Sequence, residues 1–142
     1  MGRARRTVAL LACGALALGA LAAGCGDDDS SSAGSTGTTA SGDPFVIGVA
    51  SAQTGGFSFF DVPVKNAIEL AAADLNASGG IEGRPVKVVV ADTKSDPNQS
   101  ASAAIDVLDK GAHVVVTMCD YDLGAPAARE ARETGKVALS CV

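Results

Sequence analysis

From Phe45 onward the chain alternates short, nearly continuous apolar runs with stretches of helical periodicity, and this alternation restricts the fold more than any other feature. Phe45–Ala50 and the Val-rich Val86–Ala91 contain few polar residues, as strands covered on both faces do. His113–Met118 and Val137–Ser140 are two further runs of that kind. Between the first two, Asp61 is placed to cap a helix whose first turn tolerates Pro63, and Val64, Ala67, Ile68, Ala71, Ala72 and Leu75 recur as one buried stripe. Asn76–Gly80 ends that helix. Asp96-Pro97-Asn98-Gln99 reads as an N-cap, a proline at the first helical position and a capping-box glutamine. The helix it opens is expected to bury Ala101, Ala104, Ile105 and Leu108 and to stop at Gly111. Gly124–Thr134 is a third helix, with Gly135 as its stop. Four strands joined by three helices of crossover length imply an α/β fold, a doubly wound parallel sheet with right-handed connections. The chain stops as the fourth strand ends, where such a sheet would continue, so the expectation is an incomplete lobe.

The segment before Phe45 is of another kind. Arg3, Arg5 and Arg6 precede an Ala/Leu/Gly-rich run, Val8–Ala23, that is too short to span a bilayer and ends in small residues. Residues 1–24 therefore read as an export signal. Cys25 directly follows Leu21-Ala22-Ala23-Gly24, which resembles the lipobox of bacterial lipoproteins, although Leu21 stands one place earlier than in the usual pattern. The resemblance implies lipid on Cys25 and a chain held on the extracytoplasmic face of the cell membrane. Residues 25–43, made largely of Asp, Ser, Gly, Thr and Ala, cannot bury enough surface to offset their ordering entropy and read as a flexible polar tether. That leaves residues 44–142 as the folding unit, about the size of one small domain. Of the four cysteines, Cys13 goes with the signal and Cys25 carries lipid, which leaves Cys119 and Cys141 as an even pair in an oxidising compartment.

Charge excludes one class of partner. Without Arg3, Arg5 and Arg6 the chain holds eight basic residues against 16 acidic ones, a balance of −8. A surface so acidic lacks the Lys/Arg that grip phosphates, so no nucleic acid is expected as partner.

In doubly wound sheets, ligands bind outside the carboxyl ends of the strands where strand order reverses. If the order is 2-1-3-4, that crevice lies between the first and third strands and is walled by Ser51–Phe60 and Cys119–Leu123. The first loop offers hydroxyls, glycines and Phe57, Phe59 and Phe60. The second holds Asp120, the chain's one tyrosine, Tyr121, and Asp122. Polar anchors beside aromatic walls suit a small polar ligand with an apolar part. Each feature also has a plain reading: the phenylalanines as core beneath the loop, Asp120 and Asp122 as helix caps, and Asp92 as a turn residue.

Val46-Ile47-Gly48-Val49, Thr54-Gly55, the block Asp74-Leu75-Asn76-Ala77-Ser78-Gly79-Gly80-Ile81-Glu82-Gly83, Asp96-Pro97 and Val114–Thr117 occur in that order. The series resembles the N-terminal lobe of type I periplasmic binding proteins, specifically the leucine/isoleucine/valine-binding group serving ABC importers. The resemblance covers Phe45 to the end. It implies two α/β lobes closing on an amino acid or related amide, delivery to ABC importer membrane subunits, no catalysis and no cofactor. Carried over by position, it implies ligand contacts at Thr54, Gly55, Phe60, Asp120 and Tyr121. Members often carry a small hydroxyl residue where Asp120 stands, and a carboxylate there favours a ligand with more positive charge or more N–H donors. The resemblance also implies a disulfide from Cys119 to the Asp96-Pro97 loop, but that position is Ser95. Cys141 is the alternative partner, at the carboxyl end of a neighbouring strand about 5 Å away across the ladder.

Other classes fit poorly. A receiver-like phosphotransfer domain needs an acidic pair after the first strand, where Ser51 and Ala52 stand. An exported α/β hydrolase would need a nucleophile elbow, and no Gly-x-Ser-x-Gly occurs; His113 opens a buried type of strand and reads as structural. The first βα turn also lacks the dinucleotide-binding Gly-x-Gly-x-x-Gly.

Overall fold

The computed structural model describes residues 40–140. The expected signal, Cys25, most of the polar segment and Cys141 lie outside the described residues. Strands β1 (Phe45–Ser51), β2 (Val86–Asp92), β3 (Val114–Thr117) and β4 (Val137–Leu139) alternate with helices α1 (Ser58–Ala77), α2 (Pro97–Asp109) and α3 (Tyr121–Glu133). All neighbouring strands are parallel, as the alternation predicts, and the order is β2-β1-β3-β4, the one on which the expected crevice depends. Right-handed crossovers then put α2 and α3 together on one face and α1 on the other.

The α2/α3 face is the better filled. Val46, Ala50, Val89 and Val115 from the sheet meet Ala103, Ala104, Val107, Ala127 and Ala131 from the helices. These side chains are small because the layers lie close. A Cβ on Gly48 would fall 2.7 Å from Val107 Cγ2 and 2.8 Å from Ala112 Cβ. Gly48→Ala is therefore expected to overpack the α2 contact and lose about 1–3 kcal/mol, seen as a lower urea midpoint. An unchanged midpoint would show that α2 can retreat without loss.

The buried stripes differ from the expected ones. In α2 the buried residues are Ser100, Ala103, Ala104 and Val107, one position away from much of the expected set, and Ile105 is exposed. In α1 only Asp61 and Ala72 are buried; Val64 and Ile68 are half-buried, and Ala67, Ala71 and Leu75 are exposed. The reason is that α1 covers β2 and part of β1 only, and the same sheet face extends to Val137 and Leu139, which are exposed. The apolar periodicity of α1 marks a face that the described residues only partly cover.

The Asp74-x-Asn76 block is a staple. Asn76 donates from Nδ2 to the Val86 carbonyl (2.8 Å) and its Oδ1 accepts the Val86 N–H (2.6 Å), fixing the end of α1 to the start of β2. At the amino edge of the sheet, His113 Nδ1 accepts the Val46 N–H (3.1 Å) and its ring stacks on Phe45 at 4.9 Å. Arg84 donates to the carbonyls of Asp43 (2.8 Å) and Pro44 (3.1 Å) beside them. His113 is thus structural and lies at the end away from the expected crevice.

Candidate functional site

β1 and β3 are adjacent, so the loops that follow them leave the same end of the sheet at the switch point. The helix after β1 begins earlier than its sequence suggests. α1 starts at Ser58 behind Phe57, which has no side-chain cap bond, and Phe59, Phe60 and Asp61 lie within the helix. Asp61 is therefore no cap. Its side chain is buried, Oδ2 accepting the Ala52 N–H (2.7 Å) and Oδ1 the Cys119 N–H (3.1 Å). One carboxylate ties together the first residues beyond β1 and β3. Pattern reading missed this role because an acid at the start of a helical stretch reads as its cap.

Asp92 organises the second link. It ends β2 opposite Ser51 in the ladder, which brings it beneath the β1–α1 loop. Oδ1 accepts N–H groups from Gln53 (2.8 Å), Thr54 (3.2 Å) and Lys94 (2.8 Å), and Oδ2 accepts the Thr54 hydroxyl (2.7 Å). Burial pushes this carboxyl up, but the Thr54 hydroxyl and the three amides together outweigh it and hold Asp92 below the ordinary aspartate range. The plain turn role understates it.

Ser95 completes the clasp, its Oγ accepting the Phe57 N–H (3.0 Å) and donating to the Thr54 carbonyl (2.9 Å). Lys94 and Ser95 both have left-handed backbone (φ 54° and 60°). Gly55 (φ 84°) fits against them only without a side chain, since a Cβ would lie 2.6 Å from the Lys94 carbonyl oxygen. Where the resemblance implied a disulfide from this loop, Ser95 instead hydrogen-bonds the β1–α1 loop. Cys119 is disulfide-bonded, and no other cysteine falls among the described residues.

Because the folded pKa of Asp92 is depressed, its stabilisation is complete above the unfolded pKa and is lost as pH falls through the folded one. The amide resonances of Gln53, Thr54 and Lys94 are expected to titrate together, with a midpoint below that of an aspartate in a short peptide. The shared titration disappears in Asp92→Asn. Independent movement of the three would dissolve the clasp.

Asp120 is the N-cap of α3, Oδ1 accepting the Leu123 N–H (3.0 Å), so α3 begins at Tyr121 and not at Gly124. Tyr121 is 76% exposed, and Phe59 and Phe60 are 67% and 53% exposed with ring centroids 4.0 Å apart. These three rings are exposed and do not pack as core beneath the loop. A cleft of about 110 Å³ lies one strand over, between the ends of β3 and β4, bounded by Thr117, Met118, Asp120, Tyr121, Leu139 and Ser140. Asp120 and Tyr121 thus border a concavity on the β4 side, while Thr54 and Gly55 are held on the β2 side by Asp92 and Ser95.

In a parallel α/β sheet of this order, ligands bind outside the carboxyl ends of the strands at the β1/β3 switch point. The chain belongs to the periplasmic binding protein family, whose model matches residues 44–142. It is 35% identical over 97 residues to an amino acid binding protein from Pseudomonas aeruginosa, covering 67% of this chain and 26% of that protein. Among solved structures it is similar to the branched-chain amino acid transporter substrate binding protein LivJ of Streptococcus pneumoniae, determined with isoleucine, with TM-score 0.66 and 25% identity over 69% of this chain and 28% of that one. A periplasmic binding protein from Burkholderia mallei matches with TM-score 0.62 and 27% identity over 69% of this chain and 26% of that one. The chain spans about a quarter of the length of the curated relatives it matches.

Proposed function

We propose that this chain is part of an extracytoplasmic solute-binding lipoprotein that delivers an amino acid or related amide to the membrane subunits of an ABC importer, without catalysis or cofactor. The observation that carries the reading is the pair of loops at the β1/β3 switch point, held by Asp61 and Asp92, in a chain of this family. Thr54, Gly55 and Phe60 form one side of the solute site and Asp120 and Tyr121 the other, with residues 44–142 as part of an N-terminal lobe. Residues 1–24 are the signal, Cys25 carries the lipid, residues 25–43 are the tether, and Cys119 pairs with Cys141.

Amino acids, amides and urea titrated against the isotope-labelled chain are expected to move the amide resonances of Thr54, Asp120 and Tyr121. Silence of all three with every solute would remove the reading. The covalent part has its own readouts: intact mass of the membrane fraction should show diacylglyceryl on the parent chain and none on Cys25→Ala. Thiol titration under denaturing, non-reducing conditions should find neither Cys119 nor Cys141 free. Lipid on the variant, or two free thiols, would refute the corresponding assignment.

A further inference from the structure

His113 stands one residue ahead of β3 and holds Val46 twice. Its backbone N–H donates to the Val46 carbonyl (2.8 Å), and its Nδ1 accepts the Val46 N–H (3.1 Å). The ring thus supplies the acceptor that a peptide carbonyl supplies elsewhere in the ladder, and adds a rung ahead of the first β1–β3 pair, Ile47 with Val114. A backbone amide can only donate, so Nδ1 must carry no proton. The neutral ring then has its proton on Nε2, and Arg84 Nη2, which also can only donate, lies 3.2 Å from that atom. Two donors therefore face a ring that offers one lone pair when neutral and none when protonated.

We propose that His113 is a pH-sensitive latch on the start of β1, closed by the neutral imidazole and released when the ring takes up a proton. Protonation removes the acceptor for Val46 N–H and sets a second cation against the guanidinium, which is itself tied to the carbonyls of Asp43 and Pro44 and cannot swing away without breaking those bonds. The other charged residues near this edge are Asp43 ahead of β1, Asp109 and Lys110 at the end of α2, and Lys136, which precedes β4 as His113 precedes β3. Lys110 is paired with Asp106 at 2.7 Å and Asp43 is exposed. Among the described residues no carboxylate is hydrogen-bonded to the ring. The Phe45 ring stacked on it attracts cations, but Arg84 Cζ already lies 5.8 Å from the centroid of that ring. Acid therefore loosens the edge at both attachments, His113 on Val46 and Arg84 on the two carbonyls. The latch lies at the end of the sheet away from the switch point and does not depend on the solute-binding reading.

The chain has one histidine, so its imidazole nitrogens can be followed in the isotope-labelled full-length chain without ambiguity. At neutral pH their signals are expected to show Nδ1 bare and the proton on Nε2. Hydrogen exchange at the Val46 amide, corrected for intrinsic rates, is expected to lose about tenfold of its protection from about pH 7.5 to about pH 5, in step with protonation of the ring. Val49, in the middle of the same strand, should keep its protection, which separates local release from global unfolding. His113→Asn can place an amide oxygen that does not titrate where Nδ1 stands, so protection of Val46 should then stay level over the same range. A neutral ring with its proton on Nδ1, Val46 protection that survives protonation, an equal loss at Val49, or an unchanged fall in His113→Asn each overturns the proposal. Should His113→Asn fail to fold, the nitrogen signals and the Val46 and Val49 amides of the parent chain decide it alone.

Discussion

Replacing Asp61 by alanine is expected to destabilise the domain by on the order of 2–5 kcal/mol, because it leaves the Ala52 and Cys119 amides at a buried junction without their acceptor. Set against a total of about 5–15 kcal/mol for a domain, that is a large share. Asp61→Asn should fall between, since its oxygen can take one N–H while its amide nitrogen faces the other donor. Asp74→Ala, an exposed acid on the same helix, should move the urea midpoint within about 0.5 kcal/mol. A midpoint for Asp61→Ala equal to that of Asp74→Ala would show that the two loops hold position without the carboxylate. Loss of Asp61 should also be felt at both loops together, so the resonances of residues near Ala52 and Cys119 should broaden in parallel.

The second large effect concerns affinity. The expected contact residues are open to water: Phe60 is 53% and Tyr121 76% exposed. A hydrogen bond made in such a setting nets only ~1 kcal/mol, so two or three from Thr54, Asp120 and Tyr121 barely reach the about −4 kcal/mol of a millimolar complex. Calorimetric titration of the 142-residue chain against amino acids, amides and urea is therefore expected to give dissociation constants near ~1 mM or weaker. Micromolar binding to any of them would mean that these loops enclose the solute by themselves and that the exposed rings close over it.

Parallel pairing and the caps at Asp96, Gly111 and Gly135 were legible in the sequence because each rests on local pattern: apolar runs alternating with helices, a proline after an acid, a glycine after a periodic stretch. What local pattern could not show were contacts set by tertiary placement. Asp61 resembled a cap because capping acids and buried first-turn acids have the same neighbours in sequence; only the approach of β3 to β1 distinguishes them. Asp92 looked like a turn residue because its partners at Gln53 and Thr54 lie almost forty positions away. The stripe of α1 was read as buried because periodicity reports that a face is apolar, not how much sheet lies beneath it. Of the expected contact residues, Thr54, Gly55 and Asp120 lie in the loops predicted for them, while Phe60 and Tyr121 sit in the first turns of helices where loops were expected.

The clasp at the amino edge has a mechanical consequence. Arg84 grips the carbonyls of Asp43 and Pro44 just before β1, and Phe45 N donates to the Pro85 carbonyl beside them. A pull transmitted through the residues ahead of this point enters at β1, which is laddered to β2 along its whole length and to β3 along much of it. Tension along that strand loads the rungs on both sides together in shear; it does not unzip them one at a time. The loop that runs from β1 to α1 leaves from the opposite end of the same strand, so strain applied ahead of Asp43 would be spent at Arg84, Phe45 and the ladder before it reached Ala52 and Thr54.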